Sequence, residues 1–140
     1  MSSLPAGELF RDGVIVGHEP NGSYHHSGSY RDYGRKDSVK LLPPVVEVLK
    51  EHHGMNLRVD HGSYKVISLF YSRTMSIKAA RLGLVLRVDN NSADLSVGGK
   101  GKMLNTGDWA YIPPGVTCTL RGTTHGHTCM GVVSKVRVAG

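Results

Sequence analysis

Hydrophobic and polar residues alternate along much of this chain with the period of two that is typical of half-buried β-strands. The clearest alternation lies at residues 64–71, 81–88 and 93–97, with a short β-prone run at 14–16 and a final run at 128–138. The turn-forming segment 89–92 separates two of these runs and predicts a hairpin. Seven or eight short strands with turns roughly every eight to twelve residues predict a sandwich or a barrel.

One segment, residues 43–53, has helical spacing instead. Pro43 and Pro44 suit the first turn of a helix, Val45 and Leu49 lie on one face, and Gly54 is a stop signal. A single short helix is stable only when it packs on other elements. We therefore expect it to cover one open end or one edge of the β-structure.

Residues 105–121 predict two strands joined by a rigid corner. A turn at Gly107 and Asp108 leads into the apolar run 109–112, and Pro113 and Gly115 then bend the chain. A second strand follows the bend. Segment 98–102, GGKGK, is expected to be a flexible basic loop and lacks the spacing of a phosphate-binding loop.

This strand–corner–strand resembles the second signature motif of the cupin superfamily. Gly107, Pro113 and Gly115 stand in register with that motif, and the likeness in layout extends over residues 63–138. It implies a mainly β fold, a cupin-like antiparallel jelly-roll barrel with one short helix. Residues 1–40 would form an extended N-terminal arm with one short strand, and residues 41–140 the barrel with its capping helix.

The chain departs from the cupin pattern where catalytic members bind a metal. The motif's histidine position is Cys118, and no His or Glu occurs between Gly62 and Thr124. The resemblance therefore implies a member that is not an enzyme. Its layout is similar to the C-terminal domain of centromere protein C, which implies a self-association module, either a homodimer or a subunit of a larger assembly with other proteins.

The cysteines and nearby histidines form one candidate constellation. If residues 123–124 turn the chain between the last two strands, residues whose numbers sum to 247 face each other. Cys118 would then face Cys129, with His125 and His127 on the same side. Three interpretations stay open: buried free thiols, a cross-strand disulfide, or a zinc site of Cys₂His₂ type. Without zinc, no cofactor is implied.

Basic residues favour an acidic or polyanionic partner. The formal net charge is +6, and segment 20–36 is rich in Gly, Ser, Tyr and basic residues without an aliphatic one. Such a segment fits a solvated arm, a contact with another subunit, or nucleic acid. The candidates for interface or polyanion contacts are Tyr24, Tyr30, Arg31, Tyr33, Arg35, Lys36, Lys100 and Lys102.

Two rival functions remain. A small-ligand or sugar-binding barrel would use its mouth, lined by Tyr64, Arg87, Trp109 and Tyr111. A basic subunit associated with nucleic acid would use the positive residues named above. Two cysteines make no disulfide framework, and we see neither a secretory signal nor an apolar run of about 20 residues. These features predict a reducing intracellular location (nuclear if centromeric) or the interior of a virion, and no membrane contact.

Overall fold

Two antiparallel β-sheets face each other in a computed structural model that describes residues 7–18, 42–63, 65–78, 81–123 and 128–138. Short turns of glycine and polar residues, as the sequence predicts, connect most of the strands. The strands are β1 (Glu8–Leu9), β2 (Ile15–His18), β3 (Leu57–Val59), β4 (Lys65–Phe70), β5 (Thr74–Lys78), β6 (Gly83–Asn90), β7 (Ala93–Val97), β8 (Lys100–Leu104), β9 (Asp108–Ile112), β10 (Thr117–Gly122) and β11 (Thr128–Val138).

The larger sheet has the order β1-β2-β9-β6-β11-β3, and β4 also pairs with β11. The smaller sheet has the order β5-β10-β7-β8. Apolar residues of both sheets meet between them, among them the fully buried Leu86, Leu95 and Ala110. The predicted mainly β, jelly-roll architecture is confirmed.

Helix α1 (Pro43–His53) has the predicted bounds and ends at Gly54, whose φ of 65° is left-handed. Its buried residues Val45, Val48 and Leu49 pack on the outer face of the larger sheet. The expectation that the helix covers an end or an edge is therefore wrong. The sheet offers it an apolar face because Trp109 points outward from β9 while Ala110 points into the barrel.

The predicted corner is confirmed between β9 and β10. Gly107 and Gly115 have φ values of 93° and 83°, a region in which side chains are strained. β9 belongs to the larger sheet and β10 to the smaller one. The corner at Pro113 and Gly115 therefore carries the chain from one sheet to the other.

Four local expectations were wrong. Residues 89–92 do not close a hairpin, because β6 belongs to the larger sheet and β7 to the smaller one. Residues 98–102 are not a flexible loop, because Gly98 and Gly99 form a two-residue turn with φ of 57° and 83° and β8 follows at once. Two strands, β1 and β2, precede the helix where one was expected, and β2 pairs with β9 in the larger sheet. Strand β5 was not predicted, although Met75 and Ile77 alternate with polar residues; it is short and lies at a sheet edge.

The helix that the structure describes is too short and too polar to cross a membrane.

Candidate binding site at the seam between β4 and β5

A cleft of about 330 Å³ opens where β4 of the larger sheet meets β5 of the smaller one. β6 and β11 contribute its floor, and the short 3₁₀ turn His61–Ser63 contributes to its rim. Its volume falls within the range of small-molecule sites, about 300–1,000 Å³. The cleft is thus of a size to hold a compact organic molecule.

The floor of this seam cleft is apolar. Ile77, Leu84 and Val133 are at most 9% exposed and belong to the barrel core. Half-buried Ile67 and Met75 pack against them from the two facing strands. A ligand placed here would bury an apolar body against side chains that the fold already holds in place.

The rim of the seam cleft is basic. Lys65, Lys78 and Lys135 line it, and all three side chains are exposed. Lys65 is the register partner of Val133, and Lys135 is that of Leu84, so both lysines lie on the floor's face of the larger sheet. No carboxylate is among the lining residues that the structure describes. The rim therefore favours an anionic group.

Hydrogen bonds hold the turn beside this rim. The Ser63 hydroxyl donates to the backbone oxygen of Asp60 at 2.7 Å, and the Ser134 hydroxyl donates to the same oxygen at 2.9 Å. The backbone N–H of Lys135 in turn donates to the Ser63 hydroxyl at 2.8 Å. Ser134 is 1% exposed. These bonds fix the backbone from which Lys135 projects.

A second cleft, of about 300 Å³, lies where β2 approaches β8 and is more polar. The His18 imidazole contacts the carboxylate of Asp108 through Nδ1, and the other carboxylate oxygen accepts the Asn105 N–H at 2.8 Å. The indole N–H of Trp109 donates to the backbone oxygen of His18 at 2.5 Å. Asp108 thus ties the turn before β9 to strand β2, and Lys102 lies at the same cleft.

The predicted pairing of Cys118 with Cys129 is wrong. Cys118 in β10 pairs with Ile77 and Val97 of the smaller sheet, whereas Cys129 in β11 pairs with Leu69 of the larger sheet. The last two strands belong to different sheets, so no local hairpin joins them. Both thiols are free and buried in the barrel core, and burial raises the pKa of each to about 11.

His125 and His127, the other members of the proposed zinc set, lie outside the described residues. Among the residues that are described, no three His, Cys, Asp or Glu side chains are placed to share a metal. Cys118, at the position of the cupin metal-binding histidine, is 1% exposed and has Ile77 and Val97 as register partners. Those aliphatic neighbours offer no donor atoms, so this position does not fit a cupin-type metal centre.

The predicted lining of the barrel mouth is wrong for the residues that can be placed. Trp109 and Tyr111 face helix α1 on the outside of the larger sheet. Arg87 is the register partner of Trp109, so it lies on the same outer face and is 1% exposed. Tyr64 lies outside the described residues.

The candidate polyanion contacts divide into two groups. Lys100 and Lys102 are exposed on β8. The remaining candidates lie outside the described part of the chain and stay predictions: Tyr24, Tyr30, Arg31, Tyr33, Arg35 and Lys36.

Sequence reasoning missed the three lysines of the seam. They come from β4, β5 and β11. β4 and β5 follow each other in the chain but belong to different sheets, and β11 is distant in sequence and joins them only through its pairing with β4. The one available signal was a lysine within or next to an alternating apolar run, as at Lys65 and Lys135.

No protein-family model and no curated protein sequence matches the chain. A cupin 2 domain-containing protein from Halorhodospira halophila is 15% identical with a TM-score of 0.45, over 52% of this chain and 49% of that one. A de novo designed double-stranded β-helix is 10% identical with a TM-score of 0.45, over 51% and 96%. Hydroxypropylphosphonic acid epoxidase from S. wedmorenis is 11% identical with a TM-score of 0.47, over 51% and 41%.

The chain thus aligns with about half the length of the first of these proteins. One of the three is named as an enzyme, and none of them tests the narrower resemblance to centromere protein C, which stays a prediction. The fold itself rests on the strand order, on the antiparallel register and on the turn and corner residues Gly107, Pro113 and Gly115. By these features the chain has a mainly antiparallel β fold of jelly-roll type, in which two sheets face each other.

Proposed function

We propose that the seam cleft binds a small organic anion with an apolar body. The observation that carries this proposal is the combination of an aliphatic floor with three lysines and no carboxylate among the lining residues described. Burial of an apolar body contributes roughly 25 cal/mol for each Å² removed from water. The lysines then select the charge of the ligand, because each favours an anion at short range and disfavours a cation.

The proposed activity is binding, without turnover. The lining side chains that the structure describes are aliphatic residues, methionine, serines and lysines. Serine needs a neighbouring base to act as a nucleophile, and the hydroxyls of Ser63 and Ser134 donate instead to the backbone oxygen of Asp60. A carrier or sensor of a small acid fits this lining better than a hydrolase does.

Isothermal titration with ligands of one length and different charge tests the proposal. Octanoate should bind more tightly than octanol, and octanol more tightly than octylamine. Lys78→Gln should weaken octanoate about threefold to tenfold, since one partly solvated charge interaction is worth roughly 1 kcal/mol. Lys50→Gln, on the exposed side of helix α1, is the matched control and should leave the affinity unchanged.

A second experiment fills the seam cleft with a larger side chain. Met75→Trp should abolish octanoate binding, whereas Met103→Trp, at a 48% exposed methionine of β8, should not. Circular dichroism establishes that both variants are folded. If octylamine binds as tightly as octanoate, or if Met75→Trp binds normally, the seam is not the site.

Self-association is a second candidate function, supported by two adjacent exposed aromatic residues. Phe70 is 68% exposed and Tyr71 42%, at the end of β4. A second copy of the chain would remove these rings from water, and aromatic residues are enriched in interfaces. The net charge of +6 requires that such an interface keep the basic residues of the two copies apart.

Light scattering over a dilution series tests this candidate. The parent chain should be a dimer, Phe70→Ser should shift it toward a monomer, and Val138→Ser should not, although Val138 is 65% exposed. A parent chain that is monomeric at every concentration would remove self-association from consideration.

A further inference from the structure

Two arginines stand directly opposite each other on neighbouring strands. Arg58 of β3 is the register partner of Arg137 of β11, and both side chains are exposed. The Cβ atoms of directly opposite residues in an antiparallel pair lie about 4.5–5.5 Å apart. Two guanidinium groups therefore leave the same face of the sheet side by side.

Such a pair is unfavourable for folding by itself, because like charges directly opposite destabilise a strand pair. No carboxylate of the described residues lies within ion-pair distance of Arg58 or Arg137. Asp60 lines the same cleft, and one of its carboxylate oxygens accepts the Gly62 N–H at 3.1 Å. Among the residues that the structure describes, Asp60 is thus the one carboxylate lining the cleft, and the two arginines keep a net positive charge.

A further cation, Lys135, and a backbone hydrogen bond between β11 and Asp60 lie beside the two arginines. The two arginines border a shallow cleft of about 180 Å³ together with Val59 and Asp60. Lys135 precedes Arg137 by two residues, so it projects from the same face of β11. The backbone N–H of Asp60 donates to the carbonyl of Lys135 at 2.8 Å, which holds the two sides of the cleft at a fixed spacing.

We propose that Arg58 and Arg137 form a binding site for a phosphate group, with Lys135 as an auxiliary cation. Guanidinium groups present two parallel N–H donors that match the oxygens of a phosphate, and two of them can bind one phosphate together. Two arginines facing one carboxylate leave a net positive charge in the cleft, and Lys135 on the same face of β11 adds to it, which favours a phosphate over a singly charged ligand. Because the cleft is shallow and has one apolar lining residue, the rest of the ligand stays outside it.

This site is separate from the seam cleft and does not rest on the function proposed for it. The turn from Asp60 to Ser63 lies between the two clefts, since Asp60 borders one of them and Ser63 the other. Only Lys135 borders the seam cleft and also lies beside the arginine pair. Substitution of the arginines therefore tests the phosphate site alone.

The chemistry admits two sources of phosphate, a phosphate monoester or the phosphodiester backbone of a nucleic acid. The probes are phenyl phosphate, measured by titration calorimetry, and a fluorescein-labelled single-stranded 12-mer oligonucleotide, measured by anisotropy. Tight binding of the first alone identifies a monoester, and binding of the second with strong salt dependence identifies a backbone. If neither probe binds at low ionic strength, the proposal is overturned.

Arg58→Gln and Arg137→Gln should each weaken the probe that binds by about tenfold, the typical effect of losing a charge-assisted hydrogen bond. Arg81→Gln, at an exposed arginine outside this cleft, is the control and should change the affinity less than twofold. An equal loss in all three variants would mean a diffuse charge effect and would overturn the site.

Thermal unfolding separates a binding role from a structural one. Each arginine variant should have a Tm at low ionic strength equal to or above that of the parent, because a like-charge contact is removed. Phosphate should raise the Tm of the parent over chloride of the same ionic strength, and it should not do so for the double variant Arg58→Gln/Arg137→Gln. A lowered Tm in the single variants, with no effect of phosphate on the parent, would assign the arginines to structure.

Discussion

Gly17 packs against the indole of Trp109, and we expect Gly17→Ala to destabilise the protein. A Cβ at this position would lie 2.5 Å from Cζ2 of Trp109 and 2.9 Å from the Cα of Gly7. Favourable contacts between carbon atoms are about 3.5–4.0 Å. Trp109 is 0% exposed and donates its N–H to the His18 carbonyl, so the ring cannot turn away without losing that bond.

The sign of the effect tests this packing argument. The φ of Gly17 lies outside the left-handed region, so alanine by itself would stabilise the fold by about 0.4–1 kcal/mol through the unfolded chain. Overpacking costs about 1–3 kcal/mol. We therefore expect a net loss of roughly 0.5–2 kcal/mol in the free energy of unfolding.

Urea unfolding followed by circular dichroism measures this loss, and the fluorescence of the chain's one tryptophan gives a second probe for variants that keep it. Gly62→Ala is the control, because its added Cβ would meet nothing closer than Asp60 Oδ1 at 3.4 Å. In a Trp109→Phe background the smaller ring should reduce the cost of Gly17→Ala by about 1 kcal/mol. If Gly17→Ala is as stable as the parent or more stable, the contact between Gly17 and the indole is not as described.

Three further predictions concern the core and the corner. Leu49→Ala should cost about 2–5 kcal/mol in urea unfolding, because Leu49 is 0% exposed between helix and sheet, whereas exposed Lys50→Ala should be nearly neutral. Gly115→Ala should cost about 1 kcal/mol because φ is 83°; an unchanged stability would mean that the corner relaxes. Burial raises the pKa of Cys118 and Cys129 from 9.0 to about 11, so the unfolded thiols lose their protons first as the pH rises. Stability should therefore fall between pH 9 and 11 by about 2–3 kcal/mol per thiol, and a double Cys→Ala variant should keep only the part of the decline due to Tyr111, whose pKa burial also raises.

The elements that sequence could predict are those specified by local chemistry. Helix α1 has the bounds that Pro43 and Gly54 indicate, and the alternation at 93–97 became β7. The corner was recognisable from Pro113 and Gly115, and the turn before β9 from Gly107; both glycines adopt a positive φ, which few other residues tolerate.

The errors arose where pairing over long distances decides the structure. Alternation places both Cys118 and Cys129 on an inward face, and it does so equally well for a hairpin and for two facing sheets. Trp109 and Tyr111 were likewise predicted to line a pocket. Alternation does not show which face of a sheet that is buried on both sides is the barrel interior. The seam lysines and the pair of Arg58 with Arg137 depend on strand register, and register is a property of the folded sheet.

Strand β9 is buried on both faces, by the barrel core on one side and by helix α1 on the other, whereas the strands of the smaller sheet bury one face. This difference in burial predicts which strands open locally first. Backbone amides of β9 and of its neighbour β6 should exchange their hydrogens with solvent last, and those of β5 and β8, at the edges of the smaller sheet, should exchange early. Local opening would then begin at β5 and β8, and movement of β5 away from β4 would admit a ligand while the helix and the larger sheet stay intact.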